Sequence, residues 1–205
     1  MSLRLTLIAL AMTLAPPMAR AVDLTIPGSA AMTREIVEEA GSYRLPVGPY
    51  SDGLVYSFRV EGAIVQQAWR IEAQGMTTLQ ILAPMRQQLV DAGFEILFEC
   101  TAPTCGGFDF RFNTRVMAAP DMFVDLLDFR FLSARRNGQD NGADYVTLLV
   151  SRANDSGYVQ IIQAGGEQIE VADTPTAPAA GSGSAPPVAP GAAPLSDQPL
   201  AQALL

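Results

Sequence analysis

Two cysteines separated by four residues, inside the stretch 94–112 (FEILFECTAPTCGGFDFRF), constrain this 205-residue chain more than any other feature. Phe94, Ile96, Phe98 and Cys100 share one face at period two, and Phe108, Phe110 and Phe112 repeat that spacing beyond Cys105. The spacing predicts two strands joined through a loop that a Cys100–Cys105 disulfide pins. Pro103 bends that loop, and Gly106–Gly107 lets the chain re-enter the sheet without steric cost. A redox-active pair is the sharper alternative, but the familiar dithiol motif has two intervening residues rather than four. A zinc site needs further N or S ligands, and the chain has no third cysteine and no histidine.

Oxidation of the pair requires an exported chain, and the first residues supply a reason to expect one. Arg4 gives a weakly basic start, residues 5–15 are an apolar run, and Ala19-Arg20-Ala21 has the small-x-small form of a signal-peptidase site. Residues 1–21 are therefore expected to be a signal peptide, with Val22 as the mature N-terminus. The run is too short to span a bilayer, and no later stretch is long and apolar enough for a transmembrane span after cleavage. Cleavage would leave 11 basic and 21 acidic residues. A chain of that balance repels nucleic acid and anionic surfaces. The absence of histidine removes the usual general base at neutral pH and the commonest metal ligand, so neither a cofactor nor a metal is expected.

Between residues 22 and 172 the pattern predicts one α+β domain. Residues 22–27 suit a short strand, residues 33–40 with Glu35, Glu38 and Glu39 suit a solvated helical turn, and residues 42–53 with Pro46, Gly48, Pro49 and Gly53 suit an ordered loop. Tyr56, Phe58 and Val60, then Val65, Trp69 and Ile71, suggest a hairpin turning at Glu61-Gly62, with Gln67 as the one break. Thr77 and Gln80 form a capping box for the principal helix, along which Leu79, Leu82, Ala83, Leu89 and Val90 line a face and which Gly93 ends. Pro84 should kink that helix or delay its start to Ala83. Pro120 suits the first turn of a short helix with Met122, Phe123, Leu126 and Leu127. A meander follows, with strands over 129–136, 144–153 and 158–164 separated by Asn/Asp/Gly turns. The implied fold is an antiparallel sheet of about five to seven strands with one principal helix packed on a face. Residues 173–205 shift to Pro, Ala, Gly and Ser, the composition of a disordered spacer.

Chemistry-bearing residues are few. Asp121, Asp125 and Asp128 cluster, and a helix would set Asp121 and Asp125 on one face; paired carboxylates serve acid–base or calcium chemistry, whereas a solvated face is the plainer reading. Trp69, the one tryptophan, is either a core aromatic or a platform for a ligand or partner. Trp69, Asp121 and Asp125 are therefore the candidate partner surface. No catalytic residue can be named, because no nucleophile–base pair is legible.

The segment 67–71 (QAWRI), residues 78–89, and above all AGFEILFEC at 92–100 followed by CGGFDF at 105–110 resemble the N-terminal periplasmic region of certain proteobacterial OmpA-family proteins. The likeness covers roughly residues 43–164. In that family a Pro/Ala-rich spacer leads to a C-terminal OmpA-like domain that binds peptidoglycan, a domain absent from this chain. The resemblance implies a non-catalytic envelope module, periplasmic and associated with the outer membrane or cell wall. Its partners would be envelope proteins, with peptidoglycan reached only through the missing domain. The alternative expectation is a small-ligand binder with a pocket between helix and sheet.

Overall fold

Asp52 and Gly53 both have positive φ, 54° and 86°, the geometry of a two-residue hairpin turn whose twist matches that of its strands. They join β1 (Ser29–Ser51) to β2 (Leu54–Glu72), a hairpin far longer than the sequence pattern suggests. The computed structural model describes residues 22–73, 75–138 and 142–169. After β2 come α1 (Thr78–Asp91), β3 (Glu95–Thr101), α2 (Ala102–Cys105), α3 (Gly107–Phe112), β4 (Phe129–Asn137), β5 (Ala143–Ala153) and β6 (Ser156–Ile169). The expected signal peptide (1–21) and spacer (173–205) lie outside the described residues, as do residues 139–141 of the turn between β4 and β5.

The strands form one six-stranded sheet in the order β1-β2-β6-β5-β4-β3, antiparallel at every pairing. It curls strongly. Cα atoms of β1 and β3, at opposite ends of that order, approach within 8 Å, and Leu97 of β3 packs into a cluster that holds Tyr43 and Leu45 of β1. Register shifts in β1 between Met32 and Arg34, Glu38 and Gly41, and Pro46 and Tyr50 supply bends that a long strand needs to follow such a curve. The sheet thus has an outer face under α1 and an inner face enclosed by its own curvature.

On the outer face, the capping box at Thr77 and Gln80 starts α1 as the sequence predicts, and the helix begins at Thr78 despite Pro84. Its buried side is Thr78, Ile81, Leu82, Met85 and Leu89, whereas Leu79 and Val90 of the expected face are exposed. Ile81, Leu82, Met85 and Leu89 pack on Ile71, Leu132, Val146, Leu148, Val150 and Val159. Fully burying four side chains of this size contributes about 1.5–3 kcal/mol each. Residues 22–28 are not a strand. Their backbone is held by two glutamines instead: the Val22 N–H donates to Gln163 Oε1 at 2.7 Å and the Thr25 N–H to Gln88 Oε1 at 2.8 Å.

Five further expectations are corrected. Residues 33–40 and 42–51 are neither helical turn nor loop but parts of β1, because β2 offers a continuous ladder partner that local preference cannot override. Glu61-Gly62 is not a turn; Gly62 faces Gly41 at a bend within the hairpin. Residues 107–112 are helical: the chain leaves the sheet at α2, and Gly106 and Gly107, with φ of 109° and 54°, make the turn from α2 into α3. The stretch after Pro120 forms no helix: the Asp125 N–H donates to Ser151 Oγ at 2.8 Å, so the sheet satisfies this backbone group.

The Cys100–Cys105 disulfide is present, with Cα atoms 5.2 Å apart and both residues buried. It ties the end of β3 to the end of α2 rather than closing a turn between two sheet strands. For so small a loop the chain-entropy gain is about 2 kcal/mol. The double variant Cys100→Ala/Cys105→Ala should therefore lose about 2 kcal/mol in urea denaturation while keeping its far-UV spectrum. An unchanged midpoint would show that the bond contributes nothing net.

Candidate functional site

Inward-facing residues of β2, β4, β5 and β6 alternate with those under α1, and most are apolar. One cluster gathers Ala68, Cys100, Cys105, Phe110, Met117, Met122, Phe129, Phe131, Leu149 and Tyr158. Another gathers Tyr43, Leu45, Val60, Ile64, Tyr145, Ile162 and Ala164. Between them lies a band of buried polar side chains: Gln66, Ser133, Thr147 and Gln160, joined by the Tyr43 hydroxyl. Ser133 and Thr147 sit directly opposite one another across β4 and β5, and Thr147 and Gln66 both pair with Ile162.

Burial without hydrogen bonds is costly, and this band is largely satisfied. Gln160 is its hub: its Oε1 accepts from Gln66 Nε2 at 3.0 Å and from the Met117 N–H at 2.7 Å, while its Nε2 donates to the Arg115 carbonyl at 2.9 Å. One glutamine therefore ties the segment after α3 to the inside of the sheet. Tyr43 and Thr147 share a hydrogen bond of 3.0 Å. Ser133 Oγ is buried with no partner among the described residues. At the rim, the Arg115 guanidinium lies 5.8 Å from the Tyr43 ring centroid, pairs with Glu38 at 3.1 Å and donates to the Ser42 carbonyl.

Burial pushes the Tyr43 hydroxyl up to about 12, against smaller opposing effects of the Thr147 hydrogen bond and Arg115. Tyr43 is thus a neutral hydrogen-bonding group at physiological pH, not a base. The sign for stability follows from linkage. With the folded pKa above the unfolded value of about 10, the contribution is complete below pH 10 and is lost as pH rises toward 12. Relative to Tyr43→Phe, the wild type should lose about 2–3 kcal/mol more stability between those limits. Thermal melts of both proteins across that alkaline range would show it, and parallel curves would refute it.

The residues singled out in the sequence lie elsewhere. Trp69 is half-buried on the outer face, opposite exposed Met32 of β1, packing against the α1 cluster, with its Nε1 donating to Gln67 Oε1 at 3.4 Å. Asp121 and Asp125 sit in irregular chain and do not share a helical face. The Asp121 carboxylate is 3.8 Å from Arg34 Nε, and its carbonyl accepts from the Thr33 hydroxyl. Asp125 Oδ1 instead accepts from the Leu127 N–H at 2.9 Å, shaping its own turn. Among the described residues no group of three or more His, Cys, Asp or Glu is placed to hold a metal ion, and no helix is long and apolar enough to cross a membrane.

The polar band escaped the sequence reading because a glutamine in an apolar strand carries no sign of which face it takes. Gln67 drew attention as the break in alternation, yet it is Gln66 that points inward. A search of protein-family models and a search of curated proteins find no match to this chain.

Proposed function

We propose that this chain is a non-catalytic cell-envelope module of the kind implied by its resemblance to OmpA-family N-terminal regions. It has a structural or protein-interaction role in the periplasm, associated with the outer membrane or cell wall, and its partners are other envelope proteins. The buried Cys100–Cys105 disulfide carries this reading, because such bonds persist in oxidising compartments, and the leader-like residues 1–21 point the same way. The interior also fits a scaffold. Its polar groups are chiefly spent on one another: Tyr43 keeps its proton and bonds Thr147, and Gln160 bonds Gln66 and holds the chain after α3.

The small-ligand alternative places a pocket between helix and sheet, where Ile81, Leu82, Met85 and Leu89 already pack against the strands. The envelope reading is preferred on that ground. Expression from its own first residue in a proteobacterial host, followed by fractionation, intact mass and thiol labelling, tests it. The expected product is periplasmic, begins at Val22 and carries no free thiol, and in-cell crosslinking joins it to envelope proteins. Cytosolic protein with Met1 retained and both thiols reduced would overturn the reading.

A further inference from the structure

Phe108 and Phe112 are the most exposed aromatic side chains described, 58% and 61% accessible, and their rings lie against each other with centroids 4.4 Å apart. They form one apolar ridge along α3. The element beneath is fixed: Phe110 on its far side is fully buried, and the disulfide anchors the preceding turn. The Arg111 guanidinium stands 5.3 Å from the Phe112 ring centroid, and Asp109 is exposed. At about 100° per residue, Asp109 and Arg111 fall roughly 80° to either side of the ridge, one acidic flank and one basic flank.

From this arrangement we infer that α3 is a self-association surface whose occupant is α3 of a second copy. A two-fold axis running along the helix sets the two ridges face to face with their chains parallel. The left flank of each copy then meets the right flank of the other, so Asp109 of each faces Arg111 of its partner, twice over. Antiparallel packing would place Asp109 against Asp109 and Arg111 against Arg111, which like-charge repulsion opposes. The ridge is thus apolar against apolar along its crest and self-complementary in charge along its flanks, as a two-fold interface requires. Its size sets the strength. Two rings of about 200 Å², each somewhat over half exposed, offer roughly 240 Å² per copy, well short of the about 800 Å² per partner of a stable interface. The dimer is therefore weak, reversible and concentration-dependent, and its charged flanks make it sensitive to salt.

Sedimentation of the mature full-length chain, from low micromolar to near-millimolar concentration, tests the inference. The weight-average mass should climb from monomer toward dimer, and added salt should lower it. The double variant Phe108→Ser/Phe112→Ser should remain monomeric throughout. Asp109→Arg alone should weaken association about tenfold, through two lost pairs and two new repulsions. The exchange Asp109→Arg/Arg111→Asp should restore it, since each flank then meets its opposite again. Thermal melts establish that each variant is folded, and should the double serine variant fail to fold, the charge variants carry the test. A monomer at every concentration, an unaffected dimer in the serine variant, or failure of the exchange to rescue Asp109→Arg would each overturn the inference.

Discussion

Gln160→Leu is expected to lose about 3–6 kcal/mol, enough to consume much of the about 5–15 kcal/mol that holds a domain of this size together. Leucine fits the volume, so the cost is not a cavity. It comes from three groups that Gln160 satisfies: Gln66 Nε2, the Met117 N–H and the Arg115 carbonyl. Each buried group left without a partner costs about 1–3 kcal/mol. The double variant Gln66→Leu/Gln160→Leu removes one orphan but leaves two, so it should recover only about 1–2 kcal/mol relative to the single variant. Denaturant unfolding with an unchanged slope would measure both, and a loss below about 1 kcal/mol for Gln160→Leu would mean that the band is not the buried hub the geometry describes.

The same glutamine shows what could be read in the sequence and what could not. Features carried by neighbouring residues came through: the Thr77–Gln80 capping box, Gly93 closing α1 with φ of 83°, and the meander of β4, β5 and β6. Gly53 did not: Asp52-Gly53 is a strong hairpin signal, but beside Pro46, Gly48 and Pro49 it reads as one more loop residue. In the fold, Pro46 pairs opposite Ser57 on an edge strand, where a missing N–H costs no ladder bond on the open side. The acidic residues 35–39 failed for a related reason: an edge strand takes charged side chains on both faces, so it lacks the alternation that marks a strand. The polar band required knowledge of pairing. Nothing local says that Gln66 and Gln160, 94 positions apart, will meet.

Residues 108–112, Phe-Asp-Phe-Arg-Phe, put the two descriptions in direct competition, and alanine substitution separates them. On a strand, the three phenylalanines would share one face and matter alike. On α3, Phe108 and Phe112 lie one turn apart on the exposed side while Phe110 points the other way, fully buried. Its ring sits 5.1 Å from that of Phe131, edge to face, 6.2 Å from Phe129 and 6.4 Å from Phe98, so it joins α3 to β3 and β4. Phe110→Ala should cost about 3–5 kcal/mol, the transfer loss plus the cavity left among rings that cannot fully collapse. Phe108→Ala and Phe112→Ala should each stay within about 0.5 kcal/mol of wild type, measured at concentrations where the chain is monomeric. Equal losses at all three positions would return the segment to the sheet. A small loss at Phe110 would instead mean that the inner cluster repacks around the gap, and Phe110→Leu, which keeps most of the volume, should then be indistinguishable from wild type.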